Sequence, residues 1–597
     1  MRRRPKTRRA ERATGAAATL PKGEAADGRG LHEGSARGFT LPARGPRPLG
    51  NGGTSRINRL DSRRQLSGSG ETPAESFRVS VVVESAVVPA WIAALVTRLR
   101  ASQRSLVTTF RSGPTAREER ASRLYRLYER VDERLSRRHR DALAETLLPG
   151  PAPRPLEELD ACDVVLNFAT VDSATLAPLA RNGAWVLVHT DREGKPQEPP
   201  LFWETYRREI YGTRLEALLA DGDRRVLYTS YGATDRGSLA RGRNRAYWKA
   251  HAAIVNRVEA VAERGQQYLR SRPKQVAQHR DRANGPGATI TARHSARVAL
   301  GVVGRRVKAL AYSDDWFVAA RAAPRDRGSL FAMEGRPFLS ITPPGSLLAD
   351  PFVVEHERDT YVFVEDVDRA TGRAAISYVR VDERGAPVEP PVRVLERDYH
   401  LSYPFVFGHE GQIFMVPESS ANRTVELYRA VDFPSRWKLE QVLLRDIFAG
   451  DATLLEGPDR LWLFVSVAEP GAPLTDELHL YSATTLTGPW TPHRENPVVS
   501  DVRSARPAGR IFRQGDHLIR PAQDCSLAYG FAIVLNRIDA LTTSEYRETP
   551  IARIDPTWSR GLSATHTYNF TETLEVIDGR CSVLRPGYAR ILRRGRR

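Results

Sequence analysis

The sequence predicts a multidomain protein in which an α/β domain precedes an all-β, five-bladed β-propeller. Between residues 77 and 268, strand patterns alternate with helical patterns, which is typical of a mostly parallel sheet covered by helices. Between residues 311 and 588, helical periodicity disappears and five similar units of short strands follow one another, which is typical of propeller blades. At 597 residues the chain is also too long for a single hydrophobic core.

The α/β domain is predicted element by element from its local patterns. β-branched residues run continuously through the predicted strands, as expected where both faces of a strand are buried. Pro89 opens the first helical pattern, at a position where proline fits the first turn. The predicted strands are Arg78–Glu84, Ser105–Phe110, Cys162–Ala169, Ala184–Thr190 and Arg225–Tyr231. The predicted helices are PAWIAALVTRLRAS from Pro89, Ala116–Leu147, TLAPLARNG between the third and fourth strands, and Ser238–Gln267.

The propeller is predicted from a loose repeat whose units begin about 50 to 60 residues apart, the length of a four-stranded blade with its loops. Trp316–Ala323 precedes the first unit, and we expect it to supply an outer strand to the last blade and so close the ring. A β-sandwich is the alternative, but sandwich strands do not come in self-similar groups of four. The units begin at Asp350, Tyr403, Asp451, Arg506 and His566.

The excess positive charge of the chain lies outside the two predicted domains. The formal net charge is +19, and residues 1–76, 269–310 and 589–597 together carry more positive charge than this, so the rest of the chain is slightly negative. The first segment is rich in Gly, Arg, Ala, Ser and Pro, which predicts a disordered basic tail. We interpret the second as a basic linker and the third as a basic C-terminal tail. Because no basic face is predicted on a domain, we expect no specific nucleic-acid partner, although the tails can touch anionic surfaces.

Targeting and metal-binding signals are weak in this sequence. No run of eighteen apolar residues predicts a transmembrane segment, and no apolar stretch follows the basic N-terminus as in a signal peptide. Cys162, Cys525 and Cys581 lack metal-ligand spacing, so neither a zinc site nor a disulfide framework is predicted. We therefore expect a cytoplasmic protein without a predicted metal, and the sequence assigns no cofactor.

The propeller repeat predicts a candidate site at one end of its central channel. The first strand of each blade lines that channel, so residues that begin the units converge there, and Glu365 and Glu418 end the second strands nearby. Carboxylates facing each other across a funnel suit glycosidic chemistry, which needs one protonated and one ionised group. In the alternative interpretation, Asp350 and Asp451 cap blade turns and Glu418 pairs with an arginine. The candidate catalytic residues are Asp350, Glu418 and Asp451, and the candidate substrate-binding residues are Glu365, Tyr403, Arg506, Arg520, Gln523, Asp524 and His566.

Several stretches of the propeller carry a family resemblance. HLSYPFVFGHEGQIFMVPESS, ELYRAVDFPSRWKLEQVLL, LTGPWTPHRENPV, ARPAGRIF and RPAQDCSLAYG resemble the N-terminal domain of plant glucosamine inositolphosphorylceramide transferases and their bacterial relatives. That domain is similar to the propellers of glycoside hydrolase family 43. The resemblance implies Asp350 as base or nucleophile, Glu418 as acid and Asp451 as the residue that tunes their pKa values. This chain has Tyr403 followed by proline where the hydrolases carry a tuning aspartate, which leaves hydrolase activity open.

The α/β domain carries a second resemblance, to folate-dependent formyltransferases. The stretches concerned are AWVLVHTDREGKPQEPPLFWETYR and LLADGDRRVLY. The resemblance implies a catalytic set that includes His189 and Asp221, while Leu187 stands where the family has a polarising asparagine. A strand-end histidine, a retained sugar or nucleotide pocket, and active formyl transfer all remain open.

Three functional hypotheses follow. The first is a carbohydrate-active protein that acts on a glycosyl linkage or sugar conjugate through its propeller. The second is a propeller that binds a glycan or glycolipid without catalysis. The third is a sugar N-formyltransferase whose chemistry lies in the α/β domain. A carbohydrate or sugar-conjugate ligand is the expected partner in each.

Overall fold

The computed structural model describes residues 77–102, 105–112, 121–136, 141–275, 285–324, 333 and 336–585. These residues belong to one compact unit, Arg63–Arg597. The predicted N-terminal and C-terminal tails lie outside the described residues. Within the described residues, no helix combines the length and apolar character needed to span a bilayer.

The α/β part is built on a seven-stranded sheet. Its elements are β1 (Phe77–Val83), β2 (Val87–Pro89), α1 (Ala90–Ala101), β3 (Ser105–Arg111), α2 (Arg123–Ser136), β4 (Glu145–Leu147), β5 (Arg154–Pro155), β6 (Val164–Asn167), α3 (Ser173–Leu176), β7 (Ala184–Thr190), α4 (Phe202–Arg207), β8 (Ile210–Leu218), β9 (Arg224–Ala233), α5 (Leu239–Ser271) and α6 (Ala288–Ala311). The strand order is β5-β3-β1-β6-β7-β8-β9. The strands from β5 to β7 pair in parallel, whereas β8 is antiparallel to both of its neighbours. The mostly parallel sheet predicted from strand–helix alternation is therefore present.

Helices cover both faces of this sheet because each strand is apolar on both sides. On one face, α1 and α5 pack against β1 and its neighbours, with Leu95, Val96 and Leu99 fully buried. On the other face, α3 and the residues that follow it cover Val82 and Val165.

Three features of the α/β part differ from the sequence prediction. The helix predicted over Ala116–Leu147 is α2 alone where it is described. Asp141 accepts a hydrogen bond from the Leu143 N–H in a turn, and the chain then extends into β4, which pairs with β2. The segment predicted as a linker contains helix α6, one of whose faces is anchored by the buried His294 against α2. Strand β8 was not predicted.

The all-β part is a five-bladed propeller, which confirms the predicted fold. Its strands are β10 (Tyr312–Ala322), β11 (Leu339–Ser340), β12 (Leu348–His356), β13 (Asp359–Val367), β14 (Ala374–Val381), β15 (Val392–Leu395), β16 (Ser402–His409), β17 (Gln412–Ser419), β18 (Thr424–Asp432), β19 (Arg436–Arg445), β20 (Ala449–Glu456), β21 (Leu461–Val467), β22 (Glu477–Ala483), β23 (Thr491–Pro492), β24 (Val499–Ser500), β25 (Phe512–Gln514), β26 (His517–Asp524), β27 (Ala532–Leu541), β28 (Tyr546–Ile554), β29 (Leu562–Ala564), β30 (Tyr568–Phe570) and β31 (Leu574–Leu584). Blades one to four begin with β12, β16, β20 and β25, and the fifth contains β29, β30, β31, β10 and β11.

The ring closes as the sequence predicts. Strand β10 pairs with β31 along its whole length, from Tyr312 opposite Leu584 to Ala322 opposite Leu574. The strand that precedes the first blade thus completes the last blade, and this pairing leaves no open gap between them.

Helix α5 joins the α/β part to the third blade through buried polar contacts. Lys249 Nζ lies 2.8 Å from Asp476 Oδ2, and the two side chains are only 1% and 2% exposed. Next to this pair, the Tyr228 hydroxyl donates to Glu477 Oε1 at 2.7 Å. A fully buried charge is strongly destabilising without an opposite charge beside it. The α/β part and the third blade therefore depend on each other at this interface.

Candidate functional site

Three blades place a strained residue at the same point of their innermost strand. Asp350, Tyr403 and Asp451 have φ angles of 50°, 45° and 53°. Each lies at a β-bulge where the innermost strand loses register with the second strand. Left-handed backbone is uncommon outside glycine, costs on the order of 1–3 kcal/mol, and clusters at functional sites. Because a bulge redirects the side chain it carries, these three residues shape one end of the central channel. We call this end the funnel and the three residues its floor.

Asp350, in the first blade, is held by contacts from the second and fifth blades. Its Oδ1 accepts a hydrogen bond from Thr567 Oγ1 at 2.6 Å, and its Oδ2 accepts one from the Tyr403 N–H at 3.2 Å. Its own N–H donates to Asp578 Oδ2 at 3.2 Å. Burial raises the pKa of Asp350 to about 6, although the nearby His566 acts in the opposite direction. Asp350 is therefore a carboxyl group that exchanges its proton close to neutral pH.

His566 and Asp578 form a charged pair beside Asp350. Asp578 Oδ2 lies 2.5 Å from His566 Nδ1, and Asp578 Oδ1 accepts from the His566 N–H at 2.8 Å. Trp316 stacks on the imidazole, with 4.0 Å between ring centroids and 13° between planes. Burial lowers the pKa of His566, but Asp578 and Asp350 outweigh it and raise the pKa to about 9. The ring is therefore a fixed imidazolium at neutral pH.

Glu418 and Asp451 share one arginine. Arg506 donates through Nε and Nη2 to both oxygens of Asp451, at 2.6 and 2.9 Å, and through Nη2 to Glu418 Oε2 at 2.8 Å. Gln523 Nε2 donates to Asp451 Oδ2 at 2.8 Å. A Cβ atom at Gly450 would lie 2.8 Å from Glu418 Oε2, so the glycine leaves room for the two carboxyl groups to approach.

The environments of these two carboxyl groups separate their proton affinities. Burial and the neighbouring Glu418 raise the pKa of Asp451 well above its ordinary value, despite the opposing effect of Arg506. Burial also raises the pKa of Glu418, but Arg506 and the hydrogen bonds to its carboxylate outweigh it and bring the net pKa below the ordinary value. Of the pair, Asp451 therefore has the raised pKa and Glu418 the lowered one. This order is the reverse of the predicted roles, in which Glu418 is the acid and Asp451 tunes its pKa, and those roles stay a prediction.

A second acid–imidazole pair lies near the funnel mouth. His400 Nε2 is 3.0 Å from Glu365 Oε1, and the His400 side chain is 39% exposed. Burial lowers the pKa of His400, but the hydrogen bond and charge of Glu365 outweigh it and raise the pKa. Glu365 therefore lies at the site, where it pairs with His400, a residue that the sequence does not predict there.

An aromatic side chain stands at the rim. Tyr529 is 43% exposed, and its ring meets the edge of His566 with 5.5 Å between centroids. The Arg506 guanidinium lies 5.4 Å from the same ring. Gly530 has a φ of 58°, and a Cβ there would come within 2.6 Å of His566, so only glycine lets this loop lie across the imidazole. Tyr529 is well placed to stack on a ligand above the floor.

Tyr403 forms part of the floor and does not reach the funnel space. Its side chain is fully buried. The hydroxyl lies 2.9 Å from Thr453 Oγ1 and accepts from the Gly509 N–H at 2.8 Å. The hydroxyl group thus makes its hydrogen bonds inside the protein. This burial contradicts the predicted role of Tyr403 in substrate binding. Tyr403 instead links the second blade to the third and fourth.

Two further predicted residues lie away from the funnel contacts. Arg520 is buried against Glu548, with its Nη2 2.6 Å from Glu548 Oε1, and ties strands of the fourth blade together. Asp524 Oδ2 pairs with Arg553 Nη1 at 2.5 Å. Each residue thus forms an ion pair within its blade, and its role as a substrate contact stays a prediction.

The structure thus brings most of the predicted residues together and adds several that sequence reasoning missed. The predicted residues that meet in the funnel are Asp350, Glu365, Glu418, Asp451, Arg506, Gln523 and His566. The missed residues are Trp316, His400, Tyr529, Thr567 and Asp578. Within the described residues, Asp350, His566 and Asp578 form a cluster with metal-ligand spacing, and their ligand atoms lie within 4.8 Å of one another. The direct contact between Asp578 and the His566 imidazole accounts for this proximity without an ion.

The candidate residues of the α/β part do not meet. His189 pairs with Thr213 across β7 and β8, whereas Asp221 follows the far end of β8. The five strand positions from Thr213 to Leu218 alone span roughly 17 Å. His189 is 8% exposed, and burial together with Arg243 lowers its pKa to about 3. Joint acid–base catalysis by His189 and Asp221 is therefore contradicted by their separation.

The fold and site together define a five-bladed propeller with an acid–imidazole cluster at one end of its channel. Residues 337–565 match the protein family described as glucosamine inositolphosphorylceramide transferase 1, N-terminal. A stretch of 211 residues is 36% identical to the glucosamine inositolphosphorylceramide transferase 1 of Oryza sativa subsp. japonica and to that of Arabidopsis thaliana. The alignments cover 35% of this chain and 28% of each relative. The predicted resemblance of the propeller to this family is confirmed over the matched residues.

Solved structures with propeller similarity include glycoside hydrolases. A GH43_1 enzyme from Xanthomonas citri has a TM-score of 0.31 at 11% identity, covering 40% of this chain and 88% of that one. The GH32 β-fructofuranosidase BmSUC1 of Bombyx mori has a TM-score of 0.30 at 13% identity, covering 42% and 59%. The fold assignment of this chain rests on its own blade topology.

Proposed function

We propose that the propeller funnel binds a glycosyl unit of a sugar conjugate and carries out acid–base chemistry on its linkage. The observation that carries the proposal is the separation of proton affinities among carboxyl groups at one channel end. Burial raises the pKa of Asp350 to about 6 and raises that of Asp451 well above its ordinary value. For Glu418, burial is outweighed by Arg506 and by hydrogen bonds, and the pKa is lowered. Pairs of carboxyl groups driven apart in this way divide the acid and base roles of glycosidic catalysis.

In this proposal Asp350 acts as the base and Asp451 as the acid. The hydrogen bonds from Thr567 and Tyr403 fix the Asp350 carboxylate, and the His566 imidazolium stabilises its ionised form. Arg506 and Glu418 hold Asp451 in place while Glu418 supplies the neighbouring negative charge that favours a proton there. Tyr529 offers an exposed ring on which a sugar face can stack. The matched relatives are named glucosamine inositolphosphorylceramide transferase 1, and this name supports a sugar-conjugate ligand.

A second candidate function, glycan or glycolipid binding without catalysis, is favoured by Arg506. This guanidinium bonds to both Glu418 and Asp451, whose side chains are 10% and 2% exposed. Such burial and mutual pairing are typical of ion pairs that stabilise a fold. The third hypothesis, sugar N-formyl transfer, has less support because His189 and Asp221 lie apart. The resemblance of the α/β part to formyltransferases remains a prediction.

The test compares turnover with binding on the full chain. A panel of p-nitrophenyl glycosides, pyranosides and furanosides, is screened with the wild-type protein, Asp350→Asn and the control Asp432→Asn, whose side chain is 62% exposed. Loss of a general base lowers turnover by about 10²–10⁴-fold. We expect that loss in Asp350→Asn, with ligand binding retained and the control unchanged.

Other outcomes separate the candidates. Ligand binding that is perturbed by Asp350→Asn, without turnover of any glycoside by the wild type, supports the binding-only function. Turnover that survives Asp350→Asn removes the funnel from the reaction and overturns the proposal.

A further inference from the structure

A cavity of about 690 Å³ opens between α5 and the third blade, away from the funnel residues. Its lining comes from both parts of the chain, including Asn256 on α5 and Tyr481 on β22. Small-molecule sites typically measure about 300–1,000 Å³ and occur preferentially at domain interfaces. We name this cavity the interdomain cleft.

Loose packing does not explain the interdomain cleft. The interface beside it is closed by the buried pair of Lys249 and Asp476 at 2.8 Å. At one mouth, Arg98 pairs with Glu469 at 2.8 Å, and its side chain is 42% exposed. At another, Arg264 Nη1 lies 2.8 Å from Glu495 Oε1. The walls are therefore fixed around an opening that side chains leave unfilled.

The floor of the cleft presents two side chains with free hydrogen-bonding capacity. His479 and Tyr481 lie two positions apart on β22 and so share one face of the sheet. Within the described residues, neither side chain makes a hydrogen bond. Burial lowers the pKa of His479 to about 4, against a small opposing effect of Glu469, and burial raises the pKa of Tyr481 to about 12. Both groups are uncharged at neutral pH, and each can donate and accept a hydrogen bond.

The α5 wall adds negative charge and apolar surface. Glu259 and Glu263 lie one helical turn apart, are exposed, and form no ion pair with any described residue. Ala252 and Ala260 contribute small apolar surface on the same helix. Arg494 also lines the cleft, forms no ion pair with any described residue and offsets part of this negative charge. The two carboxylates outnumber it, so they disfavour an anionic ligand, whereas they accept hydrogen bonds from hydroxyl or ammonium groups.

We propose that the interdomain cleft is a second carbohydrate site, which takes a neutral or amino-bearing sugar of one to three rings. Hydroxyl groups of the sugar exchange hydrogen bonds with His479 and Tyr481, and the carboxylates of α5 accept from its outward hydroxyl or amino groups. Small apolar side chains leave space for the flat faces of the rings. This site rests on the cleft alone and does not depend on chemistry in the funnel.

The test uses saturation-transfer NMR and titration calorimetry on the full chain with three probes: neutral maltotriose, the amino sugar glucosamine and acidic galacturonate. The cleft variants are Tyr481→Phe, which removes one oxygen atom, and His479→Gln. The matched funnel variants are Tyr529→Phe and Asp350→Asn. Circular dichroism and thermal unfolding establish that each variant folds.

We expect maltotriose or glucosamine to bind, with a Kd that rises about five- to tenfold in each cleft variant. The funnel variants keep the wild-type Kd of this site, and galacturonate does not bind to it. Binding that responds to Asp350→Asn but not to the cleft variants assigns the sugar to the funnel and overturns the cleft site. Failure of both maltotriose and glucosamine to bind at millimolar concentration also overturns it, whatever the funnel does.

Discussion

The propeller funnel and the strand end at His189 both bury ionisable side chains, but they stabilise them in opposite ways. In the funnel, the His566 imidazolium meets Asp578 at 2.5 Å, and Arg506 meets two carboxyl groups. In the α/β part, His189 Nδ1 lies 3.2 Å from Thr213 Oγ1 and its Nε2 has no partner among the described residues. The first region retains charge by pairing it, and the second removes charge by deprotonation. Buried charge with partners thus distinguishes the funnel from the strand end at His189.

The largest expected effect comes from breaking a buried pair where the two parts meet. Lys249→Met leaves Asp476 buried without its cation, and we expect the free energy of unfolding to fall by about 3–5 kcal/mol. The matched control is Lys308→Met, since Lys308 forms an exposed pair with Asp314 with side chains 53% and 46% exposed. That control should change stability by less than about 1 kcal/mol. Urea unfolding followed by tryptophan fluorescence measures both.

Equal effects of these two variants would contradict the rule that buried charge here depends on its partner. The same rule predicts that Lys249→Met combined with Asp476→Leu recovers much of the loss, because the uncompensated carboxylate is then removed as well. For the same reason, the propeller should be tested within the full chain, where Lys249 is present to pair with Asp476.

The next prediction distinguishes the two regions by how their contributions to stability depend on pH. The pKa of His566 is raised from 6.5 to about 9, so its contribution to stability is complete below pH 6.5 and is lost as the pH rises through 9. The pKa of His189 is lowered from 6.5 to about 3, so its contribution is complete above pH 6.5 and is lost as the pH falls. For His566 the difference corresponds to about 3 kcal/mol at 1.36 kcal/mol per pKa unit.

The measurement is the free energy of unfolding from pH 5 to 10 for the wild type, His566→Gln and His189→Gln. The destabilisation by His566→Gln should be greatest at acidic to neutral pH and shrink towards pH 10, while that by His189→Gln should shrink towards pH 5. Parallel curves for the two variants would remove the electrostatic distinction between the regions.

A smaller effect tests the funnel floor. Tyr403→Phe removes the hydroxyl that accepts from the buried Gly509 N–H and contacts Thr453. An unsatisfied buried donor costs about 1–3 kcal/mol, so stability should fall by that amount. The control Tyr312→Phe alters a tyrosine that is 41% exposed and should be almost neutral. A neutral Tyr403→Phe in the same thermal unfolding assay would show that the hydroxyl network does not support the floor.

The sequence predicts those funnel residues whose place follows from the repeat. Asp350, Asp451, Arg506 and His566 each open a unit, and the first strand of a blade always lines the channel. Asp578 could not be found in this way. It is followed by glycine, a pairing that predicts a turn, yet it lies in the middle of β31, where tertiary pairing overrides the local signal.

The sequence predicts which residues lie in the funnel better than it predicts the role of each residue there. Glu418 and Asp451 are both acidic residues near the channel end, and their sequence neighbours do not show which of the two has the raised pKa. Tyr403 opens its unit as the aspartates do, but a bulky ring at that position fills the floor. Position in a repeat fixes where a residue lies, whereas partners from other blades fix its proton affinity.

The smallest expected effect concerns Asp221, the proposed partner of His189. Asp221 is exposed in the turn after β8, where its Oδ1 accepts from the Asp223 N–H at 2.9 Å. Because asparagine can accept the same bond, Asp221→Asn should change the free energy of unfolding by less than about 0.5 kcal/mol. It should also leave the titration of His189, followed by NMR of labelled histidine, unchanged. A shift of the His189 pKa in Asp221→Asn would mean that the two residues interact, and the hypothesis of joint acid–base catalysis in the α/β part would then regain support.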